Sequence, residues 1–227
     1  MSPLLANVYL HYVLDLWADW WRRRHAHGDV IIVRWADDFI IGFEHREDAE
    51  RFLAELRGRL AKFGLELHPD KTRLIEFGRR AARNRAARGL GKPETFAFLG
   101  FTHICATSKS GRFRLKRITI SKRMRAKLSE VNDELKRRRH EPIAVQGRWL
   151  ASVVRGHQAY YAVPGNTDAI NGFREQVTWH WYRALRRRSQ RKRINWERMN
   201  RIAARWLPRV RVMHPFPEVR FAATHPR

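Results

Sequence analysis

An α+β chain is what the sequence predicts, and three observations carry that expectation. Two apolar, β-branched runs, Val30 to Trp35 and Phe39 to Phe43, lie almost back to back, the pattern of a tight antiparallel hairpin. Apolar residues on both sides of that hairpin recur at helical spacing. Beyond Ile120 the strand pattern gives way to successive helical periodicities. The expected organisation is a mixed portion over residues 1–120, an all-helical portion over 121–190 and a basic C-terminal extension over 191–227.

Ser2 and Pro3 form an N-cap and first-turn pair, and Leu4, Leu5, Val8, Tyr9, Tyr12, Val13, Leu16 and Trp17 then mark one long helix to about Arg24. This helix begins abruptly, with no preceding element to pack against, which suggests a truncated chain. Phe52, Leu53, Leu56, Leu60 and Phe63 make the apolar stripe of a helix from Asp48 to Phe63, with Gly64 as its stop. Short strands are expected around Glu66 and from Arg73 to Phe77. The stretch from Arg79 to Pro93 has six basic residues and no acid, and reads as an exposed loop or insertion. Strands at Phe96 to His103 and Arg112 to Ile120 are joined by the turn residues Ser108 to Gly111. Four helices follow, through Met124 to Leu135 ending by Pro142, then about 144–162, 168–188 and 196–207. The last twenty residues read as extended.

Charge is the most informative bulk property. Forty-seven Lys and Arg against 22 Asp and Glu give a net +25 in 227 residues. Such an excess repels itself unless a polyanion neutralises it, and the cations are mostly Arg, which grips phosphate bidentately and stacks on bases. A basic solubility surface is the other reading, but the charge is clustered. With 44% hydrophobic residues and nine Trp, the chain is too apolar for a disordered polyelectrolyte. One cysteine, Cys105, excludes an internal disulfide and fits a reducing cytoplasm. No apolar run is long enough to span a membrane. P-loop, zinc-ligand and serine-hydrolase signatures are absent, and His25 and His27 read as surface histidines near a turn.

The hairpin carries the chemistry. Arg34-Trp35-Ala36-Asp37-Asp38-Phe39-Ile40 places two adjacent carboxylates at the tip of otherwise apolar strands. A two-residue hairpin turn needs positive φ, which Asp tolerates better than Ala and less well than Gly. Paired carboxylates repel unless a cation lies between them. Mg²⁺ suits them, because it binds through one or two carboxylates plus substrate phosphate oxygens and supports in-line phosphoryl transfer. A pair of solvated turn aspartates is the plain alternative.

Trp35-Ala36-Asp37-Asp38 resembles the Tyr-x-Asp-Asp box of reverse transcriptases. Ser2-Pro3-Leu4-Leu5-Ala6-Asn7 resembles the helix start preceding that box in the group II intron type. Gly64-Leu65-Glu66-Leu67-His68-Pro69-Asp70-Lys71-Thr72 resembles the motif that follows, and Phe96-Ala97-Phe98-Leu99-Gly100-Phe101 resembles the one at the primer grip. In the helical half, Gly156-His157-Gln158-Ala159-Tyr160-Tyr161 and Trp179-His180-Trp181 are similar to domain X, the thumb and maturase region, and the tail with His214-Pro215 and His225-Pro226 is similar to the bacterial class C branch. No His-Asn-His endonuclease module follows.

The resemblance implies a partial reverse-transcriptase palm at 1–120, a thumb or maturase domain at 121–190 and a nucleic-acid-binding extension at 191–227. It implies RNA-directed DNA polymerisation with Mg²⁺ as cofactor, and deoxynucleoside triphosphates, template or intron RNA and a DNA primer or target as partners. Asp37 would be the principal metal ligand and Asp38 its partner. Lys71 would stabilise charge on departing pyrophosphate, or is an ordinary surface lysine. Ser2, Pro3, Trp35 and Ala36 would border the nucleotide. Phe98, Leu99, Gly100 and Phe101 would lie under the primer, or form a plain core strand. Two departures stand out: Trp35 replaces the usual Tyr, and the family's first metal-binding aspartate, on a strand before the Ser-Pro motif, has no counterpart. The second departure implies that the 227-residue chain alone does not polymerise DNA. A maturase-like RNA-binding remnant that assists intron folding and splicing is the alternative to an enzyme.

Two basic blocks are the expected RNA-binding residues: Lys136, Arg137, Arg138 and Arg139, and then Arg186, Arg187, Arg188, Arg191, Lys192 and Arg193. Arg and aromatic planes stack on unpaired bases. Trp179, Trp181, Trp196 and Trp206 are expected mostly on the inner faces of helices, leaving the Arg blocks outside.

Overall fold

The structure, a computed structural model, describes residues 2–108, 110–188 and 194–216. It divides into two compact units, Met1–Ile75 and Glu76–Arg227.

In the first unit, helix α1 (Pro3–Leu10) passes through a π-helical turn (His11–Asp15) into α2 (Leu16–Arg24). Pro3 supplies the first turn, while the Ser2 side chain makes no capping hydrogen bond. Strands β1 (Val30–Trp35) and β2 (Asp38–Phe43) pair antiparallel from Val30 opposite Phe43 to Trp35 opposite Asp38. Helix α3 (Arg46–Ala61) follows, and Gly64 at φ +67° turns the chain after it.

Alternation along the strands decides which side chains enter the core. Ile32, Phe39, Ile41 and Phe43 pack against Val13, Leu14, Ala18, Trp21, Phe52, Leu56 and Leu60. Ile31, Val33 and Trp35, on the opposite face of β1, remain exposed. Burial would push the Asp48 carboxyl up, but the His27 ring and the backbone N–H groups of His27 and Gly28 outweigh it and hold the pKa below its ordinary value. The strands expected around Glu66 and from Arg73 to Phe77 do not form. Leu65 and Leu67 pack on the first unit's core instead, and among the described residues they join neither sheet.

The second unit opens with α4 (Ala81–Ala87), within the stretch expected to be a loop. Its two Ala-Ala pairs carry strong helix propensity. The strand expected over Phe96 to His103 is two, β3 (Phe96–Phe98) and the start of β4 (Phe101–Thr107), separated by Leu99 and Gly100. With β5 (Phe113–Thr119) they form an antiparallel sheet in the order β3-β4-β5. Helices α5 (Ser121–Arg137), α6 (Ile143–Tyr161), α7 (Thr167–Arg186) and α8 (Trp196–Trp206) complete the unit.

Leu135, Leu150, Val154, Phe173, Val177 and Trp181 lie at the centre of the helical core, each buried aliphatic or Phe side chain contributing about 1.5–3 kcal/mol. Trp181 Nε1 donates to Gln146 Oε1 at 2.7 Å, and Gln146 Nε2 donates to the Arg138 carbonyl, so the indole and the amide buried together here are both paired. Gly147 lets Trp206 lie against α6: a Cβ there would meet the indole at 2.6 Å. The sheet belongs with the helices, because Asn166 accepts from the Thr119 N–H at 3.0 Å and donates to Thr119 Oγ1 at 2.8 Å, both buried. The division between the compact units falls at Ile75–Glu76, whereas the change in sequence pattern lies near residue 120. Among the described residues no helix is long and apolar enough to cross a membrane.

Candidate active site

The two aspartates sit where the hairpin turns. Asp37 is the second turn residue and Asp38 opens β2 opposite Trp35. The positive φ that a two-residue turn requires falls on Ala36, at +55°, and not on Asp37. For a residue with a Cβ this conformation costs roughly 1–2 kcal/mol. Strain of this kind persists where the surroundings enforce it, and Arg34 does so here.

Arg34 lies on the inward face of β1, and its guanidinium is a four-bond clamp. Nε donates to Asp15 Oδ1 at 2.7 Å and Nη2 to Asp15 Oδ2 at 2.6 Å, while Nη1 donates to the Ala36 carbonyl at 2.8 Å and to Asn7 Oδ1 at 2.9 Å. The two side chains are largely withdrawn from solvent. Hydrogen bonds from Arg34 hold the Asp15 carboxyl below the usual carboxylate range, against the opposing push of partial burial. Asp15 raises the Arg34 pKa in return. One side chain thus joins the turn that carries Asp37 and Asp38 to Asn7, in the Ser-Pro segment, and to Asp15, in the π-helical turn. None of the three was expected as a site residue. A cation at an inward position of an apolar strand was the available signal, since a buried charge needs a partner.

Asp37 and Asp38 are both exposed. No hydrogen bond or ion pair to another described residue engages either carboxylate, in contrast to Asp15 and Asp48. Two free, adjacent carboxylates suit Mg²⁺, a hard ion that completes its shell with water and substrate phosphate. Among the described residues no three acidic, His or Cys side chains converge as a metal cage, so the donors the first unit offers at the hairpin are these two.

The other expected site residues are distributed as follows. Ser2 and Pro3 begin α1 and are exposed, as are Trp35 and Ala36. Lys71 is exposed in a turn closed by the Thr72 N–H on the His68 carbonyl at 3.0 Å. Phe98, Leu99, Gly100 and Phe101 belong to the second unit and form its β3–β4 turn. Leu99 at φ +46° and Gly100 at φ +81° give both turn positions the positive φ of a type I′ turn. Tyr160 on α6 donates to the Leu99 carbonyl at 2.9 Å, and Phe101, buried, stacks on the Tyr160 ring and meets Tyr161 edge-on.

The basic blocks differ from one another. Lys136 is paired with Asp133, Arg137 with Glu134, and Arg138 with Glu134 and Glu141, so much of the first block is neutralised along α5 itself. Arg186 and Arg187 are exposed and make no ion pair with a described residue. Arg188 donates to the Glu141 carbonyl, and burial lowers its pKa. Arg191, Lys192 and Arg193 lie outside the described residues.

Residues 1–103 match the reverse transcriptase (RNA-dependent DNA polymerase) family model. The matched segment takes in the whole first unit and, in the second, α4, β3 and the start of β4. It includes the Asp37-Asp38 hairpin, the Arg34 clamp and the Leu99-Gly100 turn. A comparison with curated proteins gives no match.

Proposed function

We propose that this chain carries the catalytic hairpin of an RNA-directed DNA polymerase of the group II intron type, in which Asp37 and Asp38 hold Mg²⁺ and the helical half binds RNA. The observation that carries the reading is the free Asp37-Asp38 pair on a hairpin fixed by Arg34, inside the segment that matches the reverse transcriptase family. Mg²⁺ bound there would stabilise charge on the oxygens of an in-line phosphoryl transfer. The chain's own residues set the carboxylates that would hold that ion: Arg34 fixes the turn, and Trp35 presents an exposed aromatic face beside Asp38. Lys71 supplies a positive charge for departing pyrophosphate. Ser2 and Pro3 border the nucleotide, Phe98 to Phe101 form the primer grip, and the arginines of α7 take RNA phosphate. Intron RNA or an RNA template, a DNA primer and deoxynucleoside triphosphates are the partners.

The test is a ternary-complex assay with the 227-residue chain, a chain-terminated DNA primer on an RNA template, and Mg²⁺. The next complementary deoxynucleoside triphosphate should stabilise the complex against challenge by excess duplex, and mismatched ones should not. The discrimination should vanish in Asp37→Asn and Asp38→Asn. Equal response to all four nucleotides in the unsubstituted chain would contradict the polymerase reading. The maturase-like RNA-binding reading draws on the two-carboxylate site, with no third ligand converging among the described residues, and on the unneutralised arginines of α7. It predicts tight, salt-dependent RNA binding with no response to nucleotides.

A further inference from the structure

The four tryptophans of the helical half separate into two pairs. Trp181 is fully buried and bonded to Gln146, and Trp206 packs against Gly147 on α6. Trp179 and Trp196 stay outside the core cluster, 39% and 44% exposed. Trp179 and Trp181 are two residues apart on α7, about 200° around a helix, so one must face out when the other faces in. Trp196, at the start of α8, is positioned by Asn195, whose side chain accepts from the Arg198 N–H at 3.0 Å.

These two exposed rings line the same surface groove between α7 and α8, a hollow of ≈ 630 Å³ that continues past Tyr182, Arg183, Arg186 and Arg187. Trp196 stacks one face on the Tyr182 ring at 4.1 Å and 24°. The Arg183 guanidinium lies 4.5 Å from the Trp179 ring centroid and that of Arg186 5.5 Å from the Tyr182 centroid. Arg183, Arg186 and Arg187 have no carboxylate partner among the described residues, unlike Lys127, Lys136 and Arg137 of α5. Flat aromatic faces beside unneutralised guanidinium groups are what an unpaired base and its phosphate require. Gln176 and Asn200, also on the groove wall, offer the paired donor and acceptor capacity that a ribose 2′-hydroxyl uses.

We infer that this groove is a binding site for single-stranded RNA, in which unpaired bases stack on Trp196 and Trp179 while Arg183, Arg186 and Arg187 bind the adjoining phosphates. The inference rests on the nucleic-acid reading of the chain but not on its polymerase chemistry. It gives the helical half a preference for unpaired over duplex RNA, because bases inside a helix present no free face to the tryptophans.

The test uses the full 227-residue chain with fluorescein-labelled oligo(U), an abasic ribose-phosphate oligomer of the same length and an RNA hairpin closed by a non-nucleotide linker so that every base is paired, read by anisotropy at fixed salt. Trp196→Ala and Trp179→Ala should each weaken oligo(U) binding about 5- to 150-fold, the usual range for one stacked base. Hairpin binding should change less than about two-fold by the same account. Trp196→Phe should keep most of the oligo(U) affinity, and the abasic oligomer should bind the unsubstituted chain no better than oligo(U) binds Trp196→Ala. If Trp196→Ala loses its thermal transition, Trp179→Ala carries the test, since that ring lies outside the core. Oligo(U) affinity unchanged in the Ala variants, or abasic binding as tight as oligo(U), overturns the groove assignment. Salt-dependent hairpin binding would in that event leave the nucleic-acid reading intact. Failure of the unsubstituted chain to bind any RNA overturns both, and tighter binding of oligo(dU) than oligo(U) overturns the assignment to RNA.

Discussion

His157 should make the helical unit acid-sensitive well above the range in which carboxylates titrate. Its ring is 3.7 Å from that of Phe173 and nearly parallel to it, and 4.6 Å from Tyr161. Nε2 is buried with no hydrogen-bond partner. Burial first, and then the positive charge of Lys127, lower its pKa from 6.5 to about 4. The folded state therefore binds the proton less readily than the unfolded chain does. Stability is complete above the unfolded pKa and is lost as the pH falls from 6.5 toward 4. At pH 5 the linkage relation gives a loss of about 2 kcal/mol relative to neutral pH. His157→Phe keeps the ring contacts and removes the titration. Urea unfolding monitored by tryptophan fluorescence, at pH 7.5 and pH 5.0, on both proteins should show the unsubstituted chain losing about 2 kcal/mol more than the variant. His103 and His180, also lowered chiefly by burial, shift both proteins alike and cancel in the comparison. Equal pH dependence in the two proteins, or a greater loss in the variant, would rule out His157 as the source of the acid sensitivity. Because α6 also carries Tyr160 and Tyr161, acidification should loosen the Leu99-Gly100 turn as well.

Three further outcomes follow from the packing. Ala36→Gly removes the cost of a Cβ at φ +55° and should stabilise the first unit by about 0.5–1 kcal/mol after the added chain entropy of glycine, read as a shift in its urea midpoint. Arg34→Met takes from Asp15 both guanidinium hydrogen bonds, leaving it only His11 at 3.4 Å, and takes from the Ala36 carbonyl its donor. It should cost about 1–3 kcal/mol and raise the Asp15 pKa, measurable by carboxyl NMR titration; an unmoved Asp15 resonance would contradict the clamp. Gly147→Ala drives a methyl group into the Trp206 indole and should cost about 1–3 kcal/mol, with a thermal transition unchanged from the parent as the contrary result.

Much of the architecture was legible because hydrophobic period and β-branching agree with the final fold. The hairpin of residues 30–43 and helices α3 and α5 to α8 follow from those patterns. What escaped did so for identifiable reasons. The Leu99-Gly100 turn was hidden because Leu is a poor residue for positive φ, and a Tyr160 hydrogen bond from a distant helix holds it there. Helix α4 was masked by its arginines, which suggested a loop more strongly than its alanines suggested a helix. At the site, the aspartates were readable as a pair, but the clamp joining Asn7, Asp15, Arg34 and Ala36 needs a fold to bring its members together. The neutralisation of Lys136, Arg137 and Arg138 was present in the sequence as i,i+3 and i,i+4 spacings to Asp133 and Glu134. The different fates of Trp179 and Trp181 were present too, as a half-turn offset on one helix.

The proposed function requires that the Asp37-Asp38 hairpin hold a divalent cation against a nucleic-acid substrate. Fe²⁺ replacing Mg²⁺ generates hydroxyl radicals that cut the polypeptide beside its binding site, so cleavage mapping of the chain with RNA template and DNA primer locates the cation. Cuts should fall within the 30–43 hairpin, strengthen with template–primer, be competed by Mg²⁺ and disappear in Asp37→Asn. Cleavage elsewhere that is unaffected by Asp37→Asn, or no Mg²⁺-competed cleavage at all, would contradict that function.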